Sequence, residues 1–233
     1  MTARTSRGTA RRASVTRLVA GALGLAFAAT PAARAQVLTV SAGGFDVHRL
    51  VYYHGFVLEQ GGLCAAATGT VRFGSLRLSA DAVTGTLTGE SGVPNVDVGY
   101  RTTSATLHLA VNSELFIGVR REGRRLRADA GDTYWLLRGW NVRFEPDFGI
   151  AGLRGVADVS LLSSSIVRDG PRFSTAVQAA MGVSFRPRTA PYDLRIAYRF
   201  ERYDLARSSG GITAQRYEEF RGVVLEVGLR PTR

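Results

Sequence analysis

Residues that could catalyse a reaction or bind a metal are few in this chain of 233 residues. Its three histidines are His48, His54 and His108, and Cys64 is its single cysteine. His48 and His54 lie outside the HExxH spacing of zinc enzymes, and no cysteine pair accompanies them. Residues 89–92 (GESG) miss the G-x-S-x-G spacing of serine hydrolases by one position and are typical of a loop. We therefore predict no catalytic residue, no metal ligand and no cofactor.

The densest positive charge lies between residues 120 and 127, which read RREGRRLR. Guanidinium groups bind phosphate oxygens through paired N–H donors, so such a cluster is able to hold phosphates of lipopolysaccharide. The polarity of the segment predicts a loop on the outer side of the protein. The alternative to a lipid-binding site is a loop that is only solvated. The candidate phosphate patch consists of Arg120, Arg121, Arg124, Arg125 and Arg127.

The first 35 residues have the features of a secretory signal peptide. Five arginines and no acid open the chain, and the apolar run over residues 18–29 is too short to cross a bilayer. Ala33 and Ala35 predict cleavage before Gln36, with an uncleaved anchor as the alternative. Six of the 30 basic residues and none of the 19 acids lie here, which leaves 24 − 19 = +5 for the mature chain. That modest charge on an exported protein argues against nucleic acid as a partner.

Side chains of the mature chain alternate between apolar and polar over long stretches, as β-strands require. The segment 172–186 is the clearest, because its odd-numbered positions form one mainly apolar face from Phe173 to Phe185. Those two residues are about 40 Å apart along a strand, or about 30 Å across a membrane at a tilt of about 40°. This length is close to the apolar band of about 25 Å on outer-membrane barrels. No apolar run near 18 residues is present, so a membrane would have to be crossed by strands.

Turn signals divide the mature chain into ten predicted strands, with eight as the alternative. The prediction is an all-β fold, a single antiparallel up-and-down transmembrane β-barrel over residues 36–233, after the signal peptide of residues 1–35. Short periplasmic turns are expected at 74–75, 112–113, 145–147 and 187–191, alternating with long outer loops near 48–63, 88–96, 123–132, 163–171 and 205–216. The predicted strands are 37–47, 64–73, 76–87, 97–111, 114–122, 133–144, 148–162, 172–186, 192–204 and 217–229.

The two faces of the predicted strands have different roles. One face is apolar, and its candidate lipid-facing residues are Phe173, Val177, Met181, Phe185, Leu194, Ile196, Tyr198, Val223, Leu225 and Val227. The other face carries a candidate polar network in the lumen, which consists of Arg154, Asp158, Gln178, Arg195, Arg199, Glu201 and Glu226.

Charges inside a narrow barrel must be paired, because an unpaired buried charge costs several kcal/mol. We therefore predict a lumen that is closed by arginine–carboxylate pairs. In this network Glu226 is expected to pair with an arginine of the neighbouring strand. The alternative is a narrow pore whose arginines favour small anions.

The chain resembles the broad class of small bacterial outer-membrane β-barrel proteins. The resemblance rests on the segments YDLRIAYRFERYDL (192–205) and FRGVVLEVGL (220–229), and on the signal that ends ARAQ (33–36). It implies an outer-membrane location, contact with outer-membrane lipid, insertion by the barrel-assembly machinery, and a monomer. Barrels of this class usually end on an aromatic residue, whereas this chain ends LRPTR (229–233).

Two other functions fit parts of the pattern. A soluble periplasmic barrel of the lipocalin type would bind an apolar ligand inside, and its apolar residues would therefore point inwards. A lipid-modifying enzyme of the outer membrane would need a serine or a carboxylate within hydrogen-bond distance of His108. The preferred interpretation is a non-enzymatic barrel with a structural or narrow-pore role.

Overall fold

Ten long strands, each hydrogen-bonded to its neighbours along the chain, close into one antiparallel barrel in the computed structural model of the protein. The first strand pairs with the last, which leaves no open sheet edge. The structure describes residues 37–53, 56–89, 97–128, 131–168, 173–187, 190–205 and 216–229. The strands are β1 (Val37–Tyr53), β2 (Phe56–Phe73), β3 (Leu76–Gly89), β4 (Val98–Ala110), β5 (Leu115–Ala128), β6 (Gly131–Phe144), β7 (Leu153–Arg168), β8 (Phe173–Phe185), β9 (Tyr192–Leu205) and β10 (Arg216–Leu229).

The predicted ten-stranded barrel is confirmed, and the alternative of eight strands is wrong. The predicted signal peptide lies outside the described residues. Two predicted outer loops, 48–63 and 123–132, are largely strand, so that only residues 54–55 separate β1 from β2 and only 129–130 separate β5 from β6. The predicted alternation of long loops and short turns is therefore wrong. In the segment 123–132 the outward residues include Arg125 and Arg127, which is why its composition resembled that of a loop.

The two ends of the barrel carry different sets of connections. We call the end that holds the start of β1, the end of β10 and the turns 74–75, 111–114, 145–152 and 186–191 the terminal end, and the opposite one the distal end. The turn 145–152 contains Gly149 and Gly152 at φ 73° and 83°, a left-handed conformation that favours glycine. Through this turn Asp147 pairs with Arg154 at the terminal mouth of the barrel.

The outer surface changes from apolar to charged partway along the strands. On β9 the outward residues from Tyr192 to Phe200 are apolar or aromatic, and Arg202 and Asp204 follow on the same face. β10 shows the same order, with Arg221 directly beyond its last apolar residue. Tyr192 and Phe200 are about 26 Å apart along the strand, or about 20 Å across the membrane at a tilt of about 40°. We call the outward apolar residues of the terminal half the belt.

The inner surface changes in the opposite sense. Towards the terminal end it is polar, with Arg195 of β9 beside Glu226 of β10. Towards the distal end a core of buried apolar and aromatic side chains fills the barrel. The larger members of this core are Phe45, Leu87, Tyr100, Leu126, Trp135, Leu137, Phe173, Tyr203 and Phe220. The terminal half thus has the polarity of a membrane barrel, and the distal half has that of a soluble barrel.

Phe173 was expected to face lipid, and the structure contradicts this. Its side chain is 5% exposed inside the barrel, with its ring centre 5.0 Å from that of Trp135. A register shift between Phe173 and Thr175 in the pairing with β9 causes the difference. One extra residue reverses which side of the sheet all earlier side chains face. The estimate of strand length that used Phe173 and Phe185 as two ends of one face is therefore wrong as well.

A closed wall with an apolar belt outside and charges inside is the architecture of an outer-membrane β-barrel. Water-soluble barrels place their apolar residues inwards, and the terminal half of this barrel does the reverse. The protein is therefore an outer-membrane β-barrel. Among the described residues no helix is long and apolar enough to cross a membrane.

Leu225 lies in the middle of the belt on β10 and is 56% exposed. We expect Leu225→Arg to reduce the free energy of folding into lipid vesicles by about 2–4 kcal/mol, because it places a guanidinium against hydrocarbon. Thr86→Arg is the matched control, since Thr86 is exposed on the outer surface of the distal half, and its change should stay below about 0.5 kcal/mol. Urea titration with heat-dependent gel mobility measures both. Equal losses, or a wild-type protein that stays folded and soluble without detergent, would contradict the belt.

Candidate functional site

A buried ion cluster crosses the lumen between β5 and β9, which are not neighbours in the wall. The guanidinium of Arg124, 1% exposed, donates a hydrogen bond to Glu122 at 3.2 Å and another to Glu201. Arg199 forms a second ion pair with Glu201 at 2.5 Å. Because Arg124 and Glu201 come from opposite parts of the wall, their contact spans the interior.

Neutral side chains add further hydrogen bonds to this cluster. The amide of Gln178 donates to Glu122 at 2.9 Å and to the hydroxyl of Tyr203 at 2.8 Å. The Tyr203 hydroxyl in turn donates to Glu201 at 2.9 Å. We call Glu122, Arg124, Gln178, Glu201 and Tyr203 the cross-lumen cluster. It joins three strands by contacts that the wall itself does not provide.

Aromatic rings enclose the Arg124 guanidinium. Its central carbon lies 4.1 Å from the ring centre of Tyr203, 4.4 Å from that of Phe220 and 5.5 Å from that of Tyr100. Tyr100 and Phe220 are stacked on each other at 5.2 Å. A cation over aromatic faces is stabilised by about 2 kcal/mol when both are removed from water. The cluster and the aromatic core therefore form one packed layer.

A cavity of about 720 Å³ occupies the terminal half of the lumen. Alanine, serine and threonine form much of its wall, and charged groups project from the rest. The lining carboxylates are Asp81, Glu145, Asp147, Asp158, Asp193 and Glu226, and the lining arginines are Arg72, Arg77, Arg120, Arg143, Arg154, Arg186, Arg195 and Arg199. Eight arginines against six carboxylates give this terminal cavity an excess of positive charge.

Glu226 is the best-connected carboxylate of the closing strand. Its Oε1 accepts a hydrogen bond from the Thr68 hydroxyl at 2.8 Å, and its Oε2 accepts one from Arg195 at 3.3 Å. Arg195 lies directly opposite on β9, and Thr68 comes from β2, across β1. The carboxylate therefore contacts an arginine of the adjacent strand and a hydroxyl two strands away.

Glu145 lies at the terminal mouth, in the turn after β6. One of its oxygens accepts hydrogen bonds from Arg77 and Arg143, both at 2.8 Å. Burial acts to raise the pKa of Glu145, but the guanidiniums of Arg143 and Arg77 outweigh it and hold that pKa well below its usual range. Burial lowers the pKa of Arg186 in the neighbouring turn, against the opposing effect of Glu145. Glu145 therefore remains ionised and paired at neutral pH.

The predicted polar network divides between the two halves of the lumen. Gln178 and Glu201 belong to the cross-lumen cluster, and Arg199 adjoins it. The side chain of Arg154 is 40% exposed at the terminal mouth, 3.7 Å from Asp147. The members that line the terminal cavity away from both are Asp158, Arg195 and Glu226.

Arg120 and Arg124 were assigned to a surface phosphate patch, and the structure contradicts both assignments. They point into the lumen, where Arg120 contacts Glu122 at 3.1 Å and Asp81 at 3.7 Å. The segment is part of β5 rather than a loop, so successive arginines point to opposite sides of the wall. The members of the predicted patch that do lie outside are Arg121, Arg125 and Arg127.

The other candidate lipid-facing residues are on the outer side of the barrel wall. Their exposed fractions are between 37% and 73%. Contact with lipid itself remains a prediction. These outward residues are Val177, Met181, Phe185, Leu194, Ile196, Tyr198, Val223, Leu225 and Val227.

Sequence reasoning missed the centre of the cross-lumen cluster. The sequence predicts an outer loop for Arg124 and ends a predicted strand at Glu122, and it singles out neither Glu122 nor Tyr203. A signal was present, because both charged residues are in phase with Phe116 at intervals of two, as inward residues of a single strand must be. The partner of Arg124 on β9 had no such signal, since it depends on how far apart the strands lie in the closed ring.

His108 points into the lumen and is buried, and its Nε2 contacts the side-chain oxygen of Asn141. Asn141 donates in turn to Asp158 at 2.7 Å and to Ser160 at 2.8 Å. The direct partner of His108 is therefore an amide, and not the serine or carboxylate that a hydrolytic pair requires. Among the described residues no group of three or more potential ligands is placed to hold a metal ion.

Comparison with known proteins identifies no family. No family model matches the chain, and no curated protein matches it. Among solved structures, the translocator domain of autotransporter NalP from Neisseria meningitidis has a TM-score of 0.43 at 12% identity, covering 96% of this chain and 97% of its own. Neisserial surface protein A has a TM-score of 0.38 at 14% identity, covering 82% and 96%. The attachment invasion locus protein of Yersinia pestis has a TM-score of 0.37 at 12% identity, covering 84% and 98%.

Removing the Glu226 carboxylate is expected to destabilise the barrel. In Glu226→Ala, Arg195 and Thr68 lose their shared acceptor, and we expect a loss of about 1–3 kcal/mol, moderated by water in the adjoining cavity. Glu59→Ala is the matched control, because Glu59 is exposed on the outer side of β2, and it should change stability by less than about 0.5 kcal/mol. Thermal unfolding in detergent measures both. An unchanged melting temperature for Glu226→Ala would contradict the pairing.

Proposed function

We propose that this protein is a structural outer-membrane barrel whose lumen is closed and does not conduct ions. The observation that carries the proposal is the contact between Arg124 of β5 and Glu201 of β9 across the interior. Arg124 is almost completely removed from water, and aromatic rings pack on its guanidinium. A continuous column of water through this level of the barrel is therefore not expected.

The energetics of the cross-lumen cluster favour a lumen that stays closed. Opening it would separate Arg124 from both of its carboxylates and leave its buried guanidinium unpaired, which costs about 3–5 kcal/mol. The hydrogen bonds of Gln178 and Tyr203 to the same carboxylates would be lost with it. In this proposal the terminal cavity is a recess that ends at the cluster.

A narrow pathway for small anions is the second candidate. The terminal cavity supports it, because its lining arginines outnumber its carboxylates and would attract anions. Conduction would additionally require the cross-lumen cluster to move aside. The closed barrel is favoured because aromatic rings pack on Arg124 and its guanidinium is hydrogen-bonded to carboxylates of two strands.

We further propose that the barrel has no catalytic activity. The contact of His108 with Asn141 lacks the nucleophile or the carboxylate that a lipid-modifying enzyme would use. A lipocalin-like role is also disfavoured, since charged side chains line the cavity and would not suit an apolar ligand. The proposed surroundings are membrane lipid around a monomer that the barrel-assembly machinery inserts.

Wild-type protein in planar bilayers is expected to show no conductance steps, because Arg124 and its partners fill the lumen. The protein used should show the heat-dependent gel mobility of a closed barrel, so that an absence of conductance cannot result from misfolding. Regular steps with a reversal potential that indicates anion selectivity would support the pore and overturn the closed-barrel proposal. Arg186→Gln, at the terminal mouth, would then be expected to weaken that selectivity.

Truncation of the buried arginine should cost far more than truncation of an exposed one on the same strand. Arg124→Ala removes the cation that Glu122 and Glu201 share, which leaves them with Arg120 and Arg199, and it also empties the space beside the aromatic rings. We therefore expect a loss of about 2–4 kcal/mol in urea unfolding from lipid vesicles. Arg127→Ala is the matched control: Arg127 is 78% exposed and its ion pair with Asp132 is worth at most about 1 kcal/mol. Similar losses in the two variants would show that the cluster does not hold the barrel shut.

A further inference from the structure

Two arginines face each other on the outside of the barrel, immediately beyond the belt. Arg121 of β5 and Arg138 of β6 are direct cross-strand partners, and both are exposed. Val119 and Trp140 form the adjacent pair towards the terminal end, within the belt. The two guanidiniums are therefore attached where the apolar surface stops. Flexible arginine side chains at such a border reach the level of lipid headgroups.

The surroundings of this arginine pair lack a compensating negative charge. The neighbours on the adjacent strands are Ala105 beside Arg121 and Ser163 beside Arg138. Within the described part of the chain, neither arginine forms an ion pair or a hydrogen bond through its side chain. Like charges directly opposite each other on a sheet are destabilising. An anion that bridges the two guanidiniums would remove this penalty.

A second outward arginine pair differs in this respect. Arg101 of β4 faces Arg125 of β5 in the same way, but Arg125 forms an ion pair with Asp132. Arg127 also lies near that carboxylate, at 3.7 Å. Positive charge further along β5 is thus balanced by the protein itself, whereas the charge of Arg121 and Arg138 is not.

A groove of about 770 Å³ runs along the outer wall next to the arginine pair. Arg121 and Arg138 line it together with apolar side chains of the belt from five strands. Those apolar residues are Leu78, Leu107, Val119, Trp140 and Leu161. A ligand with phosphate at one end and acyl chains at the other would match both parts.

We propose that Arg121 and Arg138 form a site for the phosphate of an acylated phosphoglycolipid of the lipid A type, whose acyl chains lie in the groove. Each guanidinium offers paired N–H donors to phosphate oxygens, and such charge-assisted bonds strengthen beside a low-dielectric surface. Arg138 belongs to the site although it lies outside the 120–127 cluster. The inference rests on the proposed membrane barrel, since the belt must lie in lipid for an acyl chain to enter the groove.

Native mass spectrometry of the detergent-solubilised protein tests the proposal by counting retained lipid. Wild-type protein should retain bisphosphorylated lipid A, and Arg121→Gln/Arg138→Gln should weaken retention roughly tenfold or more. Arg125→Gln/Arg127→Gln is the matched control, with two arginines removed from the same outer face, and should stay within about twofold of wild type. Lipid A from which both phosphates have been removed should be retained equally by the wild type and by Arg121→Gln/Arg138→Gln.

Three outcomes would overturn the proposal. The first is equal retention of phosphorylated and dephosphorylated lipid A, which would assign binding to the acyl groove alone. The second is an equal loss in both double variants, which would indicate general attraction to positive charge. The third is displacement of the lipid by millimolar inorganic phosphate, which would assign the arginines to a soluble anion. Bilayer conductance of the same variants tests the closed lumen independently of lipid binding, because the substituted residues lie on the outer face of the barrel and not in the lumen.

Discussion

A guanidinium inside a barrel must be neutralised by the groups that surround it, because water and counter-ions cannot reach it. Arg124 shows this constraint most directly, since among the described residues its oppositely charged partners are Glu122 of its own strand and Glu201 of β9. Ten strands enclose an interior narrow enough for side chains from β5 and β9 to meet. The closed lumen that we propose would therefore be a consequence of charge pairing at this barrel size.

Partway along their length the strands change which of their two faces is apolar. In the terminal half, apolar residues such as Leu225 face outwards and charged ones such as Glu226 face inwards. In the distal half, Phe220 is buried inside while Arg221 of the same strand is exposed. One continuous strand therefore provides both a wall that is stable in lipid and a wall that is stable in water. The cross-lumen cluster lies where these two parts meet.

This exchange also organises the surfaces on which a function could depend. In the terminal half the cavity is charged and the outer wall is apolar, whereas in the distal half the core is aromatic and the outer wall is charged. Arg121 and Arg138 lie on the outer face, at the border between the apolar and the charged parts of the wall. The arginine-rich terminal cavity and the unpaired arginines of the outer face thus have a common origin in strand geometry.

Much of the fold is readable in the sequence, since a strand of a closed barrel has only two directions in which to point its side chains. Alternation with period two identified ten strands and the outward positions of Val177, Ile196 and Leu225. The alternation gave wrong predictions where polar residues occupy both the outward and the inward face of a strand. The outward polar residues Arg125 and Arg127 gave β5 the composition of a loop, and the same polarity predicted surface positions for the inward residues Arg120 and Arg124.

Local periodicity determined which side of the wall most residues occupy, because that property depends only on neighbours along one strand. Contacts across the lumen were decided by the tertiary structure alone, since they depend on strand number and register around the whole ring. The pairing of Arg124 with Glu201 and the inward turn of Phe173 at its bulge are of this kind. Neither follows from spacing along the chain, because the distance that matters runs through the interior of the barrel.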